Sequence, residues 1–287
     1  VPIIVPTQVI RHCAKTPERS AWLAALPETI CSVQERWDLS LGNPFDHEYV
    51  SCAWVAPATR RDGTRTVLKI GMPHMEGEQE IDGLQFWNGE GCVHLLEWDV
   101  DLNAMLLERC EPGTPLFTIP EKDQDVVIAT MLKRLWRTPP RNKFRPLSTL
   151  VDYWRQETLM AARHWPDPGL VTAGLEAMQQ LAATANTEVV LVTDLHAGNV
   201  LCAQREPWLM IDPKPFVGDA AYDATQHLLN CDSRLQSDPL ATVLRIANLL
   251  SLDPERIRIW LFARAAAEPR IDWSGSWKLR LARELAP

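Results

Sequence analysis

The chain has 287 residues, 46% of them apolar and 23% charged, and a formal net charge of −8. That length supports two units, each with a core of its own, in an ordinary globular composition, and the acidity argues against nucleic acid as the main partner. No apolar run approaches the roughly 20 residues of a membrane span, and the opening VPIIVP is too short and too uncharged to serve as a signal peptide.

Residues 17–38 read as helical, with Thr16-Pro17-Glu18 as the start signal of cap, proline and acid; Pro27 is expected to divide this stretch into two short helices. From Leu39 the character changes to strand. Tyr49 to Ala58 and Thr66 to Ile70 flank an Asp62-Gly63 turn, a strong hairpin signal. Gly42 to Tyr49, just before the hairpin, sits where a nucleotide-binding loop would fall. It has no G-x-G-x-x-G, so only backbone N–H groups are expected to approach phosphates. Lys69 lies inside the second strand, on a solvated face or holding an anion. His74 to Trp87 reads as a helix carrying Glu76, Glu78 and Glu80, acids that could pair with it or sit at an exposed helix start. Val93 to Trp98 and Asn103 to Glu108 complete an antiparallel sheet of about five strands, and Glu111-Pro112-Gly113 then breaks the pattern.

The remainder is mostly helical, with helices at about 121–137, 147–165 and 168–186, and again near 237–250, 254–268 and 274–285. Asp219 is a natural cap for a further helix. The seven cysteines form no C-x-x-C pair, which favours reduced thiols in a cytoplasm over a disulfide frame or a zinc site. Split after Cys110, the first part holds 16 acids and 9 bases and the second 21 and 20, so acidity alone does not mark the helical part as a cradle for a cation. Only Glu206 to Glu255, with 8 acids against 3 bases, is locally suited to one.

Between the helices stands the stretch with the most chemistry, VVLVTDLHAGNVLCAQREPWLMID, from Val189 to Asp212. A buried strand leads to a turn carrying Asp194 and, five residues on, Asn199; a hairpin follows, and its second strand ends on Asp212. Phosphoryl transfer needs a carboxylate to accept a hydroxyl proton and oxygen ligands to hold Mg²⁺ against nucleotide phosphates. Asp194, Asn199 and Asp212 have the right chemistry in the right order. His196 is expected to fix loop geometry by hydrogen bonding, and Lys214 is either a secondary phosphate contact or a surface charge.

DLHAGNVL followed by REPWLMIDPKPFVGDAAYD resembles the aminoglycoside phosphotransferases, and more narrowly the branch of streptomycin 6-kinases and hydroxyurea kinases. The resemblance runs from about Leu39 to Ala266 and is most specific between Leu191 and Asp223. It implies an α+β fold, bilobal and protein-kinase-like, with a five-stranded N-lobe over residues 1–110 and a helical C-lobe over 111–287. It implies Asp194 as the catalytic base, Asn199 and Asp212 as Mg²⁺ ligands, and Lys69 on the phosphates. It selects Glu80 as the partner of Lys69, since the family places that acid seven residues before a Trp; Glu76, one turn earlier, is the fallback. Backbone groups around Glu108 and Cys110 would hold adenine, and Asp219 would anchor the catalytic loop. The implied reaction moves the γ-phosphate of ATP, with GTP not excluded, to a hydroxyl of a small molecule, with streptomycin first and hydroxyurea or another metabolite second. A monomer is expected. In one place the chain departs from the pattern: Val192-Thr193 replaces His-Gly before the catalytic Asp. This substitution and the missing glycine loop are what a nucleotide-binding pseudokinase would show.

Overall fold

The computed structural model describes residues 3–46, 52–185, 187–269 and 277–287. The chain divides into two compact units: Val1–Thr114 with Leu201–Lys214, and Pro115–Val200 with Pro215–Pro287. In order, the first unit holds α1 (Thr7–Cys13), α2 (Pro17–Arg36), β1 (Leu39–Leu41), β2 (Ala53–Arg60), β3 (Arg65–Gly71), α3 (Glu80–Trp87), β4 (Leu95–Asp99) and β5 (Ala104–Glu108). The second begins with α4 (Glu121–Leu135), α5 (Leu147–Met160), α6 (Pro168–Ala183) and β6 (Glu188–Leu191). The chain continues through β7 (Val200–Cys202), β8 (Trp208–Met210) and β9 (Phe216–Asp219). It closes with α7 (Ala220–Leu228), α8 (Asp232–Ser237), α9 (Pro239–Leu250), α10 (Pro254–Ala267) and α11 (Trp277–Leu285).

The first unit is built on an antiparallel sheet of order β1-β2-β3-β5-β4. Strand alternation decides which face each side chain takes. Leu68 and Ile70 of β3, with Ala104 and Leu106 of β5, pack against Leu26, Ile30 and Val33 of α2. Lys69 falls between Leu68 and Ile70 and so points to the opposite face of the sheet. α2 runs unbroken through Pro27, contrary to the expected division into two helices. Pro27 is exposed, so the missing N–H falls on the solvent side, while the buried stripe at positions 26, 30 and 33 holds the helix to the sheet. α1 and α8 are short helices with no strong periodic signal, and neither was expected.

Proline accounts for much of the second unit's helix grammar. α6, α9 and α10 each start with an aspartate whose side chain accepts a backbone N–H, followed by proline at the first helical position: Asp167-Pro168, Asp238-Pro239 and Asp253-Pro254. Thr16-Pro17 opens α2 in the same way. α10 is the central helix, buried from Trp260 to Ala267. It meets α6 where a Cβ on Gly174 would stand 2.7 Å from that of Ala266, so only glycine permits this approach. β6 and β9 pair antiparallel, Leu191 opposite Phe216, and carry the loop that follows Leu191.

Asp125 of α4, fully buried, ties four helices together. It accepts from His227 Nε2 at 2.9 Å, Arg234 Nη1 at 3.0 Å and Arg245 Nε at 2.8 Å. Cys231 lies close enough to share a cation with Asp125 and His227, but two guanidinium groups already satisfy the carboxylate, so the cluster is an ion network. Burial works against the charge, yet these hydrogen bonds hold the carboxyl at about 2. Asp125→Ala, which strands two cations, is expected to cost about 3–5 kcal/mol at pH 7. The folded value lies below the unfolded one, near 3.9, so the Asp125 contribution is complete above about pH 4 and lost as pH falls through about 2. Urea unfolding of both proteins at pH 7 and pH 3 checks this: the gap between them should narrow at pH 3.

Candidate active site

In the first unit Lys69 Nζ stands 2.6 and 2.7 Å from the two oxygens of Glu80 and 2.5 Å from Oδ1 of Asp212. β3 aims the lysine, the first turn of α3 presents Glu80, and the chain leaving β8 turns Asp212 in with a left-handed backbone, φ 54°. Helix formation begins at Glu80 rather than His74; a short 3₁₀ turn, Met75–Gly77, precedes it. Glu76 is buried on that turn, and Glu80 is the acid brought to Lys69. Burial opposes the ammonium, but Asp212 and Glu80 hold Lys69 well above the usual lysine range. Burial would likewise raise Asp212, yet Lys69 and Lys214 hold it down to about 2. Burial pushes Glu80 up, against the pull of Lys69. Lys214 therefore belongs electrostatically to this cluster.

The segment after β5 is pinned. Glu108 accepts from Arg205 Nε at 3.0 Å, Arg205 Nη2 at 2.9 Å and the His94 N–H at 2.9 Å, while its own N–H donates to His94 O. Burial works against ionisation, but Arg205 and the His94 N–H keep this carboxyl below its usual range. Neither the Glu108 side chain nor its N–H is left for a base. The buried Cys110 follows, its thiol pushed up to about 12 by burial. Gly113 N–H and Thr114 O then pair with Cys202 of β7. In the expected phosphate loop, Gly42 N–H donates to Pro57 O and Phe45 N–H to Val55 O, so both are spent on β2. Residues 47–49 of that loop, and the start of the expected strand through residue 51, lie outside the described residues.

In the second unit the loop from Val192 to Asn199 carries the carboxylate. Asn199 Nδ2 donates to the Asp194 carbonyl at 3.0 Å, which leaves Oδ1 as the asparagine atom able to face a cation. His196 Nδ1 accepts from Gly198 N–H at 3.1 Å, the geometric role expected of it. The anchor of the loop is Asp223, not Asp219: Val192 N–H and Thr193 N–H donate to its two oxygens at 2.9 and 2.8 Å, and Trp136 Nε1 adds a third bond at 2.9 Å. Burial pushes this carboxyl up to about 6 against those donors. Asp219 caps α7 through Ala221 N–H and pairs with Arg256 and Trp260. Both aspartates flank the start of one helix, and only the path of the chain tells them apart. Two further contacts carry no sequence signal: Gln226 Nε2 donates to Asp194 Oδ1 at 2.8 Å, and Arg264 Nη2 donates to Gln226 Oε1 at 2.7 Å.

The locally acidic stretch from Glu206 to Glu255 proves to be structural in large part. Asp219 and Asp223 are spoken for, Asp238 and Asp253 cap helices, Glu206 pairs with Arg205 and Glu255 with Arg258. Such an array offers a cationic ligand little. In the first unit, the Asp212 carboxylate is a hard oxygen ligand of the kind Mg²⁺ takes beside phosphates, and the Lys69 ammonium bonded to it suits a phosphate. The donor set therefore fits a magnesium nucleotide.

Thr193 has φ 56°, a region where a β-branched residue is strained. This explains the glycine of the family pattern at that position. Thr193→Gly is expected to raise stability by roughly 0.5–1 kcal/mol, the relief being partly offset by glycine's greater chain entropy. A higher urea midpoint would register it, and a lower one would remove the strain account.

A family model described as aminoglycoside/hydroxyurea antibiotic resistance kinase matches residues 40–277. The streptomycin 6-kinase of Streptomyces glaucescens is 35% identical over 260 residues, covering 86% of this chain and 83% of that protein. The hydroxyurea phosphotransferase of Kitasatospora aureofaciens is 34% identical over 249 residues, covering 85% and 72%. Among solved structures, the choline kinase LicA of Streptococcus pneumoniae superposes with a TM-score of 0.61 at 14% identity, over 92% of this chain and 98% of that one. The aminoglycoside phosphotransferase APH(4)-Ia gives 0.55 at 12% identity, over 90% and 98%. The fold is thus kinase-like, and the chain belongs to the aminoglycoside/hydroxyurea antibiotic resistance kinases, small-molecule O-phosphotransferases.

Proposed function

We propose that the chain transfers the γ-phosphate of ATP to a hydroxyl of a streptomycin-type aminoglycoside. The observation that carries the chemistry is the Lys69 ammonium held between Glu80 and Asp212, the arrangement that charge neutralisation at a nucleotide's phosphates requires. Asp194 orients the acceptor hydroxyl and takes its proton as the oxygen bonds to the γ-phosphorus and ADP leaves. Lys69, oriented by Glu80, positions the phosphates. Asn199 Oδ1 and Asp212 would hold Mg²⁺, which when bound offsets charge on the phosphate oxygens. Carbonyl groups near Glu108 and the backbone at Cys110 are the candidates for adenine.

Two similar proteins are named streptomycin 6-kinases, at 35% and 34% identity, which supports streptomycin as the acceptor. The hydroxyurea phosphotransferase, at 34%, supports hydroxyurea as a second reading, and identity does not separate the two. Magnesium-dependent ADP release over streptomycin, other aminoglycosides, hydroxyurea and simple sugars does so. Asp194→Ala is expected to lower turnover by about 10²–10⁴-fold with the fold intact, and Asp212→Ala by a comparable factor. Rates like wild type in either variant would remove the mechanism, and a signal with hydroxyurea alone would replace the acceptor.

A further inference from the structure

We infer that Gln226 is a positioning residue for the carboxylate of Asp194, and that Arg264 sets the orientation in which it acts. The inference rests on the kinase reading above and adds a residue that neither the loop motif nor the metal ligands include. Gln226 lies on α7, where its side-chain amide spans two charged groups. Its Nε2 is 2.8 Å from Asp194 Oδ1, and its Oε1 is 2.7 Å from Arg264 Nη2. An amide can be turned over with little change of shape, and its neighbours decide which way it faces. Here the decision is unambiguous. A guanidinium only donates, so the amide oxygen must face Arg264, and the N–H₂ must then face the aspartate.

Arg264 is itself held on every side. It is 3% exposed, its Nε donates to Glu268 at 3.0 Å and its Nη1 to Thr225 Oγ1 at 2.8 Å. Its guanidinium centre lies 4.9 Å from the ring centroid of Tyr222 and 5.6 Å from that of Trp154, within the range of cation–π attraction. α10 carries it, locked against α6 at Gly174. The packing of the central helix is therefore transmitted, through one guanidinium and one amide, to the rotation of the Asp194 carboxylate. A base must present its oxygen within hydrogen-bond reach of the acceptor hydroxyl, about 2.6–3.2 Å, and misplacement by about 1 Å can cost 10²-fold.

Gln226→Glu separates positioning from mere support. The new carboxylate keeps the shape and keeps Arg264 as a charge-assisted partner, but sets an acceptor against Asp194 in place of a donor. With streptomycin and hydroxyurea as acceptors, kcat is expected to fall about 10²-fold. KM for ATP should stay within about twofold and the melting temperature near wild type. Gln226→Leu removes the donor without adding charge and should also lower kcat while sparing KM for ATP. An active wild type with an equally active Gln226→Glu removes this inference alone, as does a Gln226→Leu protein of normal kcat should the Glu variant fail to fold. A wild type silent with both acceptors removes the kinase reading and this inference with it.

Discussion

A buried ammonium is tolerable only beside carboxylates, and the first unit is arranged to supply two of them to Lys69. Each component does a separate task. The alternation of β3 turns Lys69 away from the face that α2 covers. α3 starts at Glu80, so the acid projects from a first helical turn, where negative charge is favoured. The left-handed backbone at Asp212 brings in the second acid at the end of β8. Removing either carboxylate would leave a charge poorly compensated, a defect that costs several kcal/mol in buried sites. The stability of this unit and the phosphate contacts proposed for it thus share the same three side chains.

The loop of the second unit shows a different economy. Val192, Leu195 and Ala197 bury its apolar side, and its backbone is tied to Asp223, whose carboxylate gathers N–H groups from Val192, Thr193 and Trp136. Three donors converging on one buried carboxylate fix the backbone tightly enough to keep Thr193 at a positive φ. The valine at 192 accordingly does not leave the loop without a tether, because the tether runs through main-chain N–H groups that any residue possesses.

Much of the fold could be read from local rules, because proline after a capping residue, an Asp-Gly turn and alternating apolar positions each act over a few residues. The five-stranded sheet and the C-terminal helices were legible for that reason. Pro27 misled because whether a helix survives a proline depends on which face it exposes, a tertiary fact. Asp219 and Asp223 could not be told apart, since both are acids at the same helix start and only the return of the β6 loop toward α7 selects one. Gln226 and Arg264 were invisible: a glutamine and an arginine 38 residues apart have no pattern until α7 and α10 pack together. The acidic stretch misled in the opposite sense, since capping and ion pairing consume charges that composition counts as free.

Calorimetric titration of ATP with and without Mg²⁺, on wild type and on Asp212→Asn, addresses the Lys69 cluster without requiring any acceptor. The substitution keeps the shape and removes one negative charge. Wild type should bind ATP at least about tenfold more tightly with Mg²⁺, equivalent to roughly 1.4 kcal/mol, and the variant should lose most of that gain. An equal magnesium dependence in the two proteins would contradict the assignment of Asp212 to the metal and, with it, the reading of this cluster as the phosphate end of a kinase site.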